Sequence, residues 1–439
     1  MRTSRIAATA FGALLAAAPL FAQAPPPPQD EGRTITMQHF RPNDQRGLNV
    51  FETPKDPGRA YEGFKMDFGA NFTSQVQWLD HSNTAVPMLV NGVNQNQLQN
   101  IGFGFNNSTA NLNLHAQLAD GVRVQLTSYL SSRHHNETWV KDGFLLIDKL
   151  PIDAPLLNAF MEYITIRAGH MEINYGDAHF RRTDNGNAVY NPFVGNLIMD
   201  AFTTEIGGEV YLRANGIMVM GGVTGGEIRG TVVGPESRGP AFLGKAGFDR
   251  DVRPNLRVRM TGSLYTTDKA ASSTLYGGDR AGSRYYWVLE NTTATESAQF
   301  TSGLVNPAFR NRVTAMQLNP FVKFHGLEVF GVVERAKGGT TAETTDRTWN
   351  QYAADVVYRF FPREQVYAGL RYNRANGTLA GIPGDLVVDR WQVAGGWFVT
   401  QNILIKSEYV NQQYEGFPVT NIRNGAKFNG MMLEGVIAF

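Results

Sequence analysis

The sequence predicts an all-β protein, a transmembrane antiparallel β-barrel of about 16 strands with short turns at one end and long loops at the other. Three observations support this fold class. From residue 61 onward, apolar and polar residues alternate with a period of two. Beyond the N-terminus, no segment contains the roughly 18 consecutive apolar residues that a spanning helix requires. The connections between the predicted strands alternate between short and long. A membrane protein without spanning helices must pair its backbone polar groups between strands, and a closed barrel does so.

The N-terminal residues predict an export signal followed by a linker. Arg2 and Arg5 precede an apolar stretch at 6–21, and the small residues at 22–24 form a cleavage site. We therefore assign residues 1–24 to a signal peptide. Residues 25–60 open with consecutive prolines and lack both helical and strand periodicity, so we interpret them as a Pro-rich periplasmic linker.

The composition excludes some kinds of site. The chain contains no Cys, which excludes a disulfide-stapled domain and thiolate metal sites. It has 40 basic and 39 acidic residues, and without Arg2 and Arg5 the mature chain has 38 and 39, a net charge of −1. This balance gives no indication of a nucleic-acid partner. The numerous Gly, Phe and Tyr residues are typical of turns and of aromatic girdles at membrane interfaces.

The barrel is assigned to residues 61–439. In the first strand, Phe64, Met66 and Phe68 alternate with Lys65 and Asp67, as an amphipathic strand requires. The same alternation predicts strands near residues 62, 109, 122, 138, 161, 203, 216, 240, 255, 313, 327, 350, 365, 388, 403 and 427. Tight turns follow the even-numbered strands, and long polar loops follow odd-numbered ones, at 80–108, 173–202, 267–312 and 375–387. This asymmetry places the short turns and both termini in the periplasm.

One connection breaks the pattern. Segment 148–159 is too long for a periplasmic turn, so either a short helix lies there or the strand count slips at the fourth strand, 139–147, whose alternation is the weakest. A soluble β-sandwich is the alternative fold. It is disfavoured because about 16 strands of similar length would need a core larger than a single domain usually provides.

The last strand of the chain suggests where the barrel resides. Met431, Leu433 and Ile437 share one face, Glu434 lies on the other, and the chain ends on Phe439. Alternation with an aromatic residue at the rim is what a lipid-facing strand requires. The terminal Phe resembles the closing strand of bacterial outer-membrane barrels, where it serves as an assembly signal. The resemblance implies the outer membrane of a Gram-negative bacterium, in contact with membrane lipid and lipopolysaccharide.

If the apolar face meets lipid, the opposite face lines a hydrated lumen. The basic residues predicted to line the pore are Arg123, Arg167, Arg213, Arg257, Arg259 and Arg371. Each could instead form a cross-strand ion pair on the barrel wall. The sharper interpretation is that a slight excess of basic side chains favours anions, as rings of such side chains do in anion pores.

The loop at 173–202 has the most distinctive sequence in the chain. It is long and aromatic, which predicts that it packs against something, and the barrel interior is available. Here the chain resembles the general porins, whose third loop folds inward, and most of all the phosphate-selective porins. Gly169 and the pair Tyr175-Gly176 match that group, whereas Asn174 stands where a Pro is expected.

The porin resemblance implies passive diffusion of small polar solutes or anions through a homotrimer. It also implies that three charged loop residues lie at the constriction, where fixed charges set which ions pass. These residues are Arg181, Arg182 and Asp184.

The sequence contains weaker signals for three functions other than a channel. His170, Glu172, Asp177 and His179 could bind a metal, but we interpret them as polar rim residues and predict no metal or cofactor. No G-x-S-x-G motif indicates a hydrolase, and we predict no enzymatic activity. The main alternative is a non-conducting barrel that acts as an adhesin or assembly partner. Its basis is the loop at 272–303, in which Tyr285, Tyr286 and Trp287 are expected to be exposed or nearly so.

Overall fold

The computed structural model describes residues 37–38, 40–53, 55, 60–130, 138–232, 237–278, 284–299 and 301–439. The predicted signal peptide and the first part of the predicted linker lie outside these residues. The chain divides into two compact units, residues 1–37 and residues 38–439, and the second unit contains the whole barrel.

The second unit is an antiparallel β-barrel. Its strands are β1 (Lys65–Ser82), β2 (Leu89–Val90), β3 (Val93–Asn94), β4 (Phe103–Phe105), β5 (Thr109–Ala119), β6 (Val122–Leu130), β7 (Thr138–Ile147), β8 (Ile164–Glu172), β9 (Thr204–Ala214), β10 (Ile217–Thr224), β11 (Ala241–Arg253), β12 (Leu256–Thr267), β13 (Arg312–Phe324), β14 (Leu327–Gly339), β15 (Arg347–Phe360), β16 (Val366–Leu379), β17 (Ile382–Thr400), β18 (Ile403–Glu415) and β19 (Lys427–Ala438). β1 and β5 to β19 form the wall, whereas β2, β3 and β4 are short pieces of the first long loop.

The barrel closes at β1. Phe72 is opposite Ala110 of β5 on one side and opposite Ile437 of β19 on the other. At the closing seam the Ala70 amide donates to the Phe439 carbonyl at 2.8 Å, and the Phe439 amide donates to the Ala70 carbonyl at 3.0 Å. Closure leaves no free strand edge, as the bilayer interior demands. The predicted fold class, with its strand count near 16, is therefore confirmed.

The irregular region around the fourth predicted strand has a simple cause. Helix α1 (Pro155–Met161) occupies the one long connection at the short-turn end, and the fourth strand is present as β7. The register between β6 and β7 shifts at Thr127 and Ser128, so that Lys141 and Asp142 are both buried. This bulge interrupts the alternation, because one extra residue exchanges the two faces of a strand.

The prediction of a long loop at 375–387 is wrong. β16 and β17 continue through most of this segment and are joined by a tight turn at Ala380 and Gly381, with Gly381 at φ +73°. Beyond the membrane, strands no longer need an apolar face, so period-two alternation of hydrophobicity is lost although the strands continue.

Helices contribute little to the fold. Besides α1, the described residues contain helix α2 (Glu296–Gln299) and two 3-10 turns, Gln45–Gly47 and Ala178–Phe180. Among the described residues, no helix is long and apolar enough to cross a bilayer.

The outer surface of the wall is a belt of exposed apolar side chains. On β9, for example, Ile206, Val210 and Leu212 are each about half exposed, while Glu205 and Glu209, which point the opposite way, are buried on the lumen side. Exposing this much apolar surface to water would be costly at roughly 25 cal/mol per Å². In hydrocarbon the same surface is favourable, so the belt faces lipid and the polar face lines the interior.

Candidate functional site

The loop between β8 and β9 fills much of the lumen. Most of residues 173–203 are buried, and their backbone is held by wall side chains. The Val194 amide donates to Glu408 Oε2 at 2.8 Å, and the Met199 amide donates to Gln351 Oε1 at 2.9 Å. In return, the Arg371 guanidinium donates to the Gly195 carbonyl at 3.1 Å. Because these contacts come from several strands, we call β11 to β18 the packed wall.

Asp177 ties the start of this loop to the packed wall. Its carboxylate lies 2.7 Å from Lys245 Nζ of β11 and makes a bidentate contact with Arg259 of β12, with both distances at 2.8 Å. Burial alone would raise the pKa of Asp177, but the two cations outweigh that effect and hold the pKa below its ordinary value. Asp177 is therefore a fixed anion that anchors the loop.

An N-terminal segment, residues 40–53, packs against the same region. Glu52 approaches Lys245 Nζ at 3.0 Å and Arg259 Nη2 at 2.8 Å. The ring centroid of Phe51 lies 5.8 Å from that of Phe180 on the loop and 5.3 Å from that of Phe321 on β13. This part of the predicted linker is thus packed on the lumen face. Contacts between residues far apart in the sequence produce no periodic pattern, so they could not be predicted from the sequence.

A second inward segment comes from the connection between β12 and β13. Tyr285 is 1% exposed and Tyr286 is 4% exposed, and Trp287 is only partly exposed. The Tyr285 hydroxyl donates to Glu408 Oε1 at 2.6 Å, and the Tyr286 amide donates to Gln77 Oε1 at 3.1 Å. The expectation of exposure is wrong for Tyr285 and Tyr286, which hydrogen bonds to the lumen wall hold inside, whereas Trp287 remains partly exposed.

The remaining space lies on the opposite side of the lumen. A cavity of about 220 Å³ separates the inward loop from the wall formed by β5 to β9, which we call the cavity wall. Its charged lining residues are Arg41, Glu52, Arg123, Asp142, Asp148, Arg167, Glu172, Arg182, Asp184 and Arg213, together with His115 and His179. The cavity is thus polar, and its lining combines the wall, the loop and the N-terminal segment.

The loop residues predicted at a constriction are divided between the two sides. Arg182 and Asp184 line the cavity: Arg182 contacts Asp200 at 3.0 and 2.5 Å, and Asp184 is paired with Lys141. Arg181 points to the packed wall, where it lies 3.3 Å from Glu328 Oε2 of β14. The three residues therefore do not form one charged cluster.

The predicted pore-lining arginines are divided in the same way. Arg123, Arg167 and Arg213 line the cavity. Of these, Arg123 makes no hydrogen bond or ion pair with any residue that the structure describes. The other three, on the packed wall, each form a close carboxylate pair: Arg257 with Asp249, Arg259 with Asp177, and Arg371 with Asp355. For this second group the cross-strand or loop ion pair is the better description.

Asn174, which departs from the porin pattern, has a structural role that Pro could not fill. Its backbone amide donates to Glu209 Oε1 at 2.8 Å, and its side-chain oxygen accepts from Lys245 Nζ at 2.7 Å. The two glycines that match the porin pattern, Gly169 and Gly176, lie where a side chain would clash with neighbouring atoms. Gly169 has φ +139° and a Cβ there would lie 2.5 Å from the Gly143 carbonyl, while a Cβ on Gly176 would overlap Gln317.

The residues considered as metal ligands do not converge. His170 Nε2 lies 2.9 Å from Thr204 Oγ1, and Asp177 faces Lys245 and Arg259. His179 and Glu172 form a pair at 2.8 Å. Within the described part of the chain, no group of three or more His, Asp or Glu side chains could hold a metal ion.

Two acidic residues of the cavity lining, Asp142 on β7 and Asp148 just past its end, were not predicted from the sequence. The bulge in β7 conceals Asp142, since it shifts the face on which the following residues fall. Asp148 lies just past the last residue of that strand, where no alternation remains to place it.

Comparisons with known proteins agree with this architecture. No family model matches the chain, and no curated protein is similar to it. Solved structures are similar in fold. An anion-selective porin from Comamonas acidovorans matches with a TM-score of 0.51 at 10% identity, covering 86% of this chain and 100% of that one. The outer-membrane channel DcaP of Acinetobacter baumannii matches with a TM-score of 0.51 at 8% identity, covering 87% and 99%.

A third similar structure is the trimer form of OmpT, an outer-membrane protein of Vibrio cholerae, with a TM-score of 0.51 at 11% identity, covering 86% of this chain and 100% of that one. At such low identity these likenesses concern the fold. The chain is accordingly a closed antiparallel β-barrel with the fold of outer-membrane porins.

Proposed function

We propose that this protein is a passive diffusion channel for small polar solutes, with a preference for anions, and that it catalyses no reaction. The observation that carries the proposal is the polar cavity beside the cavity wall, bounded by an inward-folded loop. Porin architecture supports the channel, because a barrel of about 16 strands encloses an aqueous lumen unless loops fill it. Here the inward loop leaves a polar cavity of about 220 Å³ beside the cavity wall.

The preference for anions rests on which charges along the cavity are already paired. Glu52 is paired with Lys245 and Arg259, Asp184 with Lys141, and Glu172 with His179. Among the described lining residues, Arg41, Arg123 and Arg213 have no carboxylate within 4 Å, whereas Asp142 is the one carboxylate without a basic partner at that distance. An unneutralised cation in a narrow polar passage attracts anions and disfavours cations. Because Arg123, Arg167 and Arg213 alternate with Asp142 and Asp148 along the cavity, the proposed preference is for small anions in general.

The proposal includes a homotrimer, which the trimer form of OmpT supports by likeness of fold. Chemical crosslinking of the protein in native membranes, followed by denaturing electrophoresis, is expected to give a trimer band. Crosslinking that yields monomers alone would remove the trimer but leave the channel intact.

Conductance of the purified protein in a planar bilayer tests the channel. We expect discrete ion-conducting steps, larger with chloride and phosphate than with a bulky organic anion. The variant Gln125→Trp, whose side chain points into the cavity from β6, should lower single-channel conductance roughly twofold or more. Leu212→Trp is the matched control because Leu212 lies on the lipid-facing side of the wall.

Two results would contradict this proposal. If the correctly folded protein showed no conducting step, the alternative of a non-conducting adhesin or assembly partner would be favoured. If Gln125→Trp and Leu212→Trp had equal conductance, the passage would not run beside the cavity wall.

A further inference from the structure

The inward segment between β12 and β13 contains a stretch of strained backbone at residues 284–290, which we call the aromatic segment. Trp287 has φ +64° and Leu289 has φ +58°, a left-handed conformation that is unfavourable for residues other than glycine. Val288, between them, is fully buried. Strained backbone of this kind persists only where neighbouring groups hold it in place. The contacts of the aromatic segment therefore decide whether it stays in the lumen.

Two inward side chains of β1 hold the backbone of the aromatic segment. The Tyr286 amide donates to Gln77 Oε1 and Gln77 Nε2 donates to the Tyr286 carbonyl, both at 3.1 Å. Further along the same face of β1, His81 Nδ1 accepts from the Leu289 amide at 2.8 Å. The glutamine amide does not titrate, whereas an imidazole changes its charge near neutral pH. The contact at His81 is therefore sensitive to pH.

The partners of His81 fix its protonation state. A backbone amide can only donate, so Nδ1 must carry the lone pair that accepts from Leu289. Nε2 lies 2.7 Å from the carbonyl oxygen of Gln99, in the loop between β1 and β5, and a carbonyl can only accept, so Nε2 carries the proton. Only the neutral ring makes both contacts. A second proton would lie on Nδ1 and face the Leu289 N–H, which would bring two donors together.

The charged groups around His81 come from three elements. Asp80 on β1 favours protonation of the ring by its charge. Lys427 on β19 is exposed, so solvent screens its charge. Glu290, in the aromatic segment, directs its carboxylate to the Ser302 hydroxyl at 2.9 Å. Protonation is therefore opposed chiefly by the partial burial of the ring and by the hydrogen bond that it would break.

We propose that His81 is a pH-sensitive clamp: the neutral ring holds the aromatic segment against the lumen wall, and protonation in acid releases the segment. The bond to Gln99 survives protonation because Nε2 keeps its hydrogen, so the loop between β1 and β5 stays in place. The released ring binds the second proton more tightly than the clamped ring. Release is therefore favoured as the pH falls below about 6.5, the ordinary pKa of histidine, by up to about tenfold per pH unit.

Release would widen the lumen at its loop end, because His81 lies beyond Trp78, the last exposed apolar residue of β1. This effect on conductance rests on the channel function proposed above, whereas the clamp itself does not. The two can therefore be tested separately.

Hydrogen–deuterium exchange of the full-length protein in detergent, measured by mass spectrometry, tests the clamp. Protection factors, corrected for the intrinsic pH dependence of exchange, are compared at about pH 7.5 and about pH 5 for peptides that cover the aromatic segment. We expect protection to fall about 10- to 30-fold, because about 1.5 pH units separate pH 5 from the ordinary pKa of histidine. The internal control is the peptide around Met199, whose amide is held by the non-titrating Gln351 and should keep its protection.

Three variants identify the group that titrates. His81→Asn offers a carbonyl oxygen in place of Nδ1 and does not titrate, so the pH dependence of protection should vanish. His81→Ala removes the clamp, and its protection at pH 7.5 should already be as low as that of the wild type at pH 5. His325→Asn is the matched control, because His325 is exposed in the turn between β13 and β14. It should keep the pH dependence of the wild type.

Two exchange results would overturn the clamp. One is unchanged protection of the aromatic segment in the wild type between the two pH values. The other is the same pH dependence in His81→Asn as in the wild type, which would assign the effect to a carboxyl group such as that of Glu290. Heat-dependent mobility on gels checks that all variants are folded.

Conductance at the same two pH values tests the widening of the lumen. We expect larger steps at pH 5 than at pH 7.5 in the wild type, and steps of equal size in His81→Asn. Equal steps in the wild type would show that release does not widen the passage. A folded protein without conducting steps at either pH would refute the channel, while the exchange measurements would still decide whether His81 is a clamp.

Discussion

The two sides of the lumen carry similar residues but use them differently. On the packed wall, Arg371 is paired with Asp355 at 2.6 and 2.8 Å and also holds the Gly195 carbonyl of the loop. On the cavity wall, Arg123 has no hydrogen bond or ion pair with a described residue and borders an open space. An inward arginine in this barrel can therefore stabilise the inward loop or face a solute in the cavity. The partners of its guanidinium group determine which of the two roles it has.

The largest expected contrast comes from removing one arginine on each side. Arg371→Ala should lower the free energy of unfolding by about 3–5 kcal/mol, because it leaves the buried Asp355 carboxylate without its partner. Arg123→Ala should change it by less than about 1 kcal/mol, because no charge loses a partner. Urea unfolding of both variants in the same detergent measures the difference. Equal losses would show that the two sides are not energetically distinct.

A smaller loss is expected where the N-terminal segment contacts the packed wall. Phe51 is 2% exposed, so Phe51→Ala should cost about 3 kcal/mol through loss of its packing against Phe180 and Phe321. We also expect larger conducting steps, because residues 51–53 line the cavity. Phe242→Ala, on the lipid-facing surface, is the control and should leave the conductance unchanged. Unchanged conductance in Phe51→Ala would show that the segment does not restrict the passage.

The smallest effect is expected from mild acid. The pKa values of Asp177 and Glu52 are lowered because Lys245 and Arg259 outweigh the effect of burial. A carboxylate with a lowered pKa stabilises the fold fully above its unfolded pKa of about 4, and that contribution is lost as the pH falls toward the folded value. The difference in unfolding free energy between wild type and Asp177→Asn should therefore be constant from about pH 8 to pH 5 and shrink below about pH 4. A difference that already shrinks between pH 7 and pH 5 would contradict the lowered pKa.

Local patterning was sufficient to predict the wall. Alternation located the strand that became β14 at residue 327, and the length of segment 148–159 correctly left room for a short helix. Both are local signals, because neighbouring residues on a strand face opposite solvents. The bulge in β7 and the extended hairpin of β16 and β17 could not be located, since each interrupts the alternation that was being counted.

The pairing of charged residues in the barrel interior was harder to predict from the sequence. Inward-facing arginines could be identified from strand faces, yet nothing in the sequence distinguished Arg371 from Arg123. The pairing of Arg259 with Asp177 joins residues 82 positions apart. Such a partner depends on how the loop crosses the lumen, and many different crossings are compatible with the same pattern.

The sequence by itself therefore determined that this chain is a lipid-facing barrel with a polar interior, because a two-residue period and the requirement for backbone pairing in a bilayer leave few alternatives. Only the tertiary structure decided which charges are neutralised and where space remains. Those outcomes depend on long-range contacts among the loop at 173–203, the N-terminal segment and the two walls, and such contacts leave no periodic trace in the order of the residues.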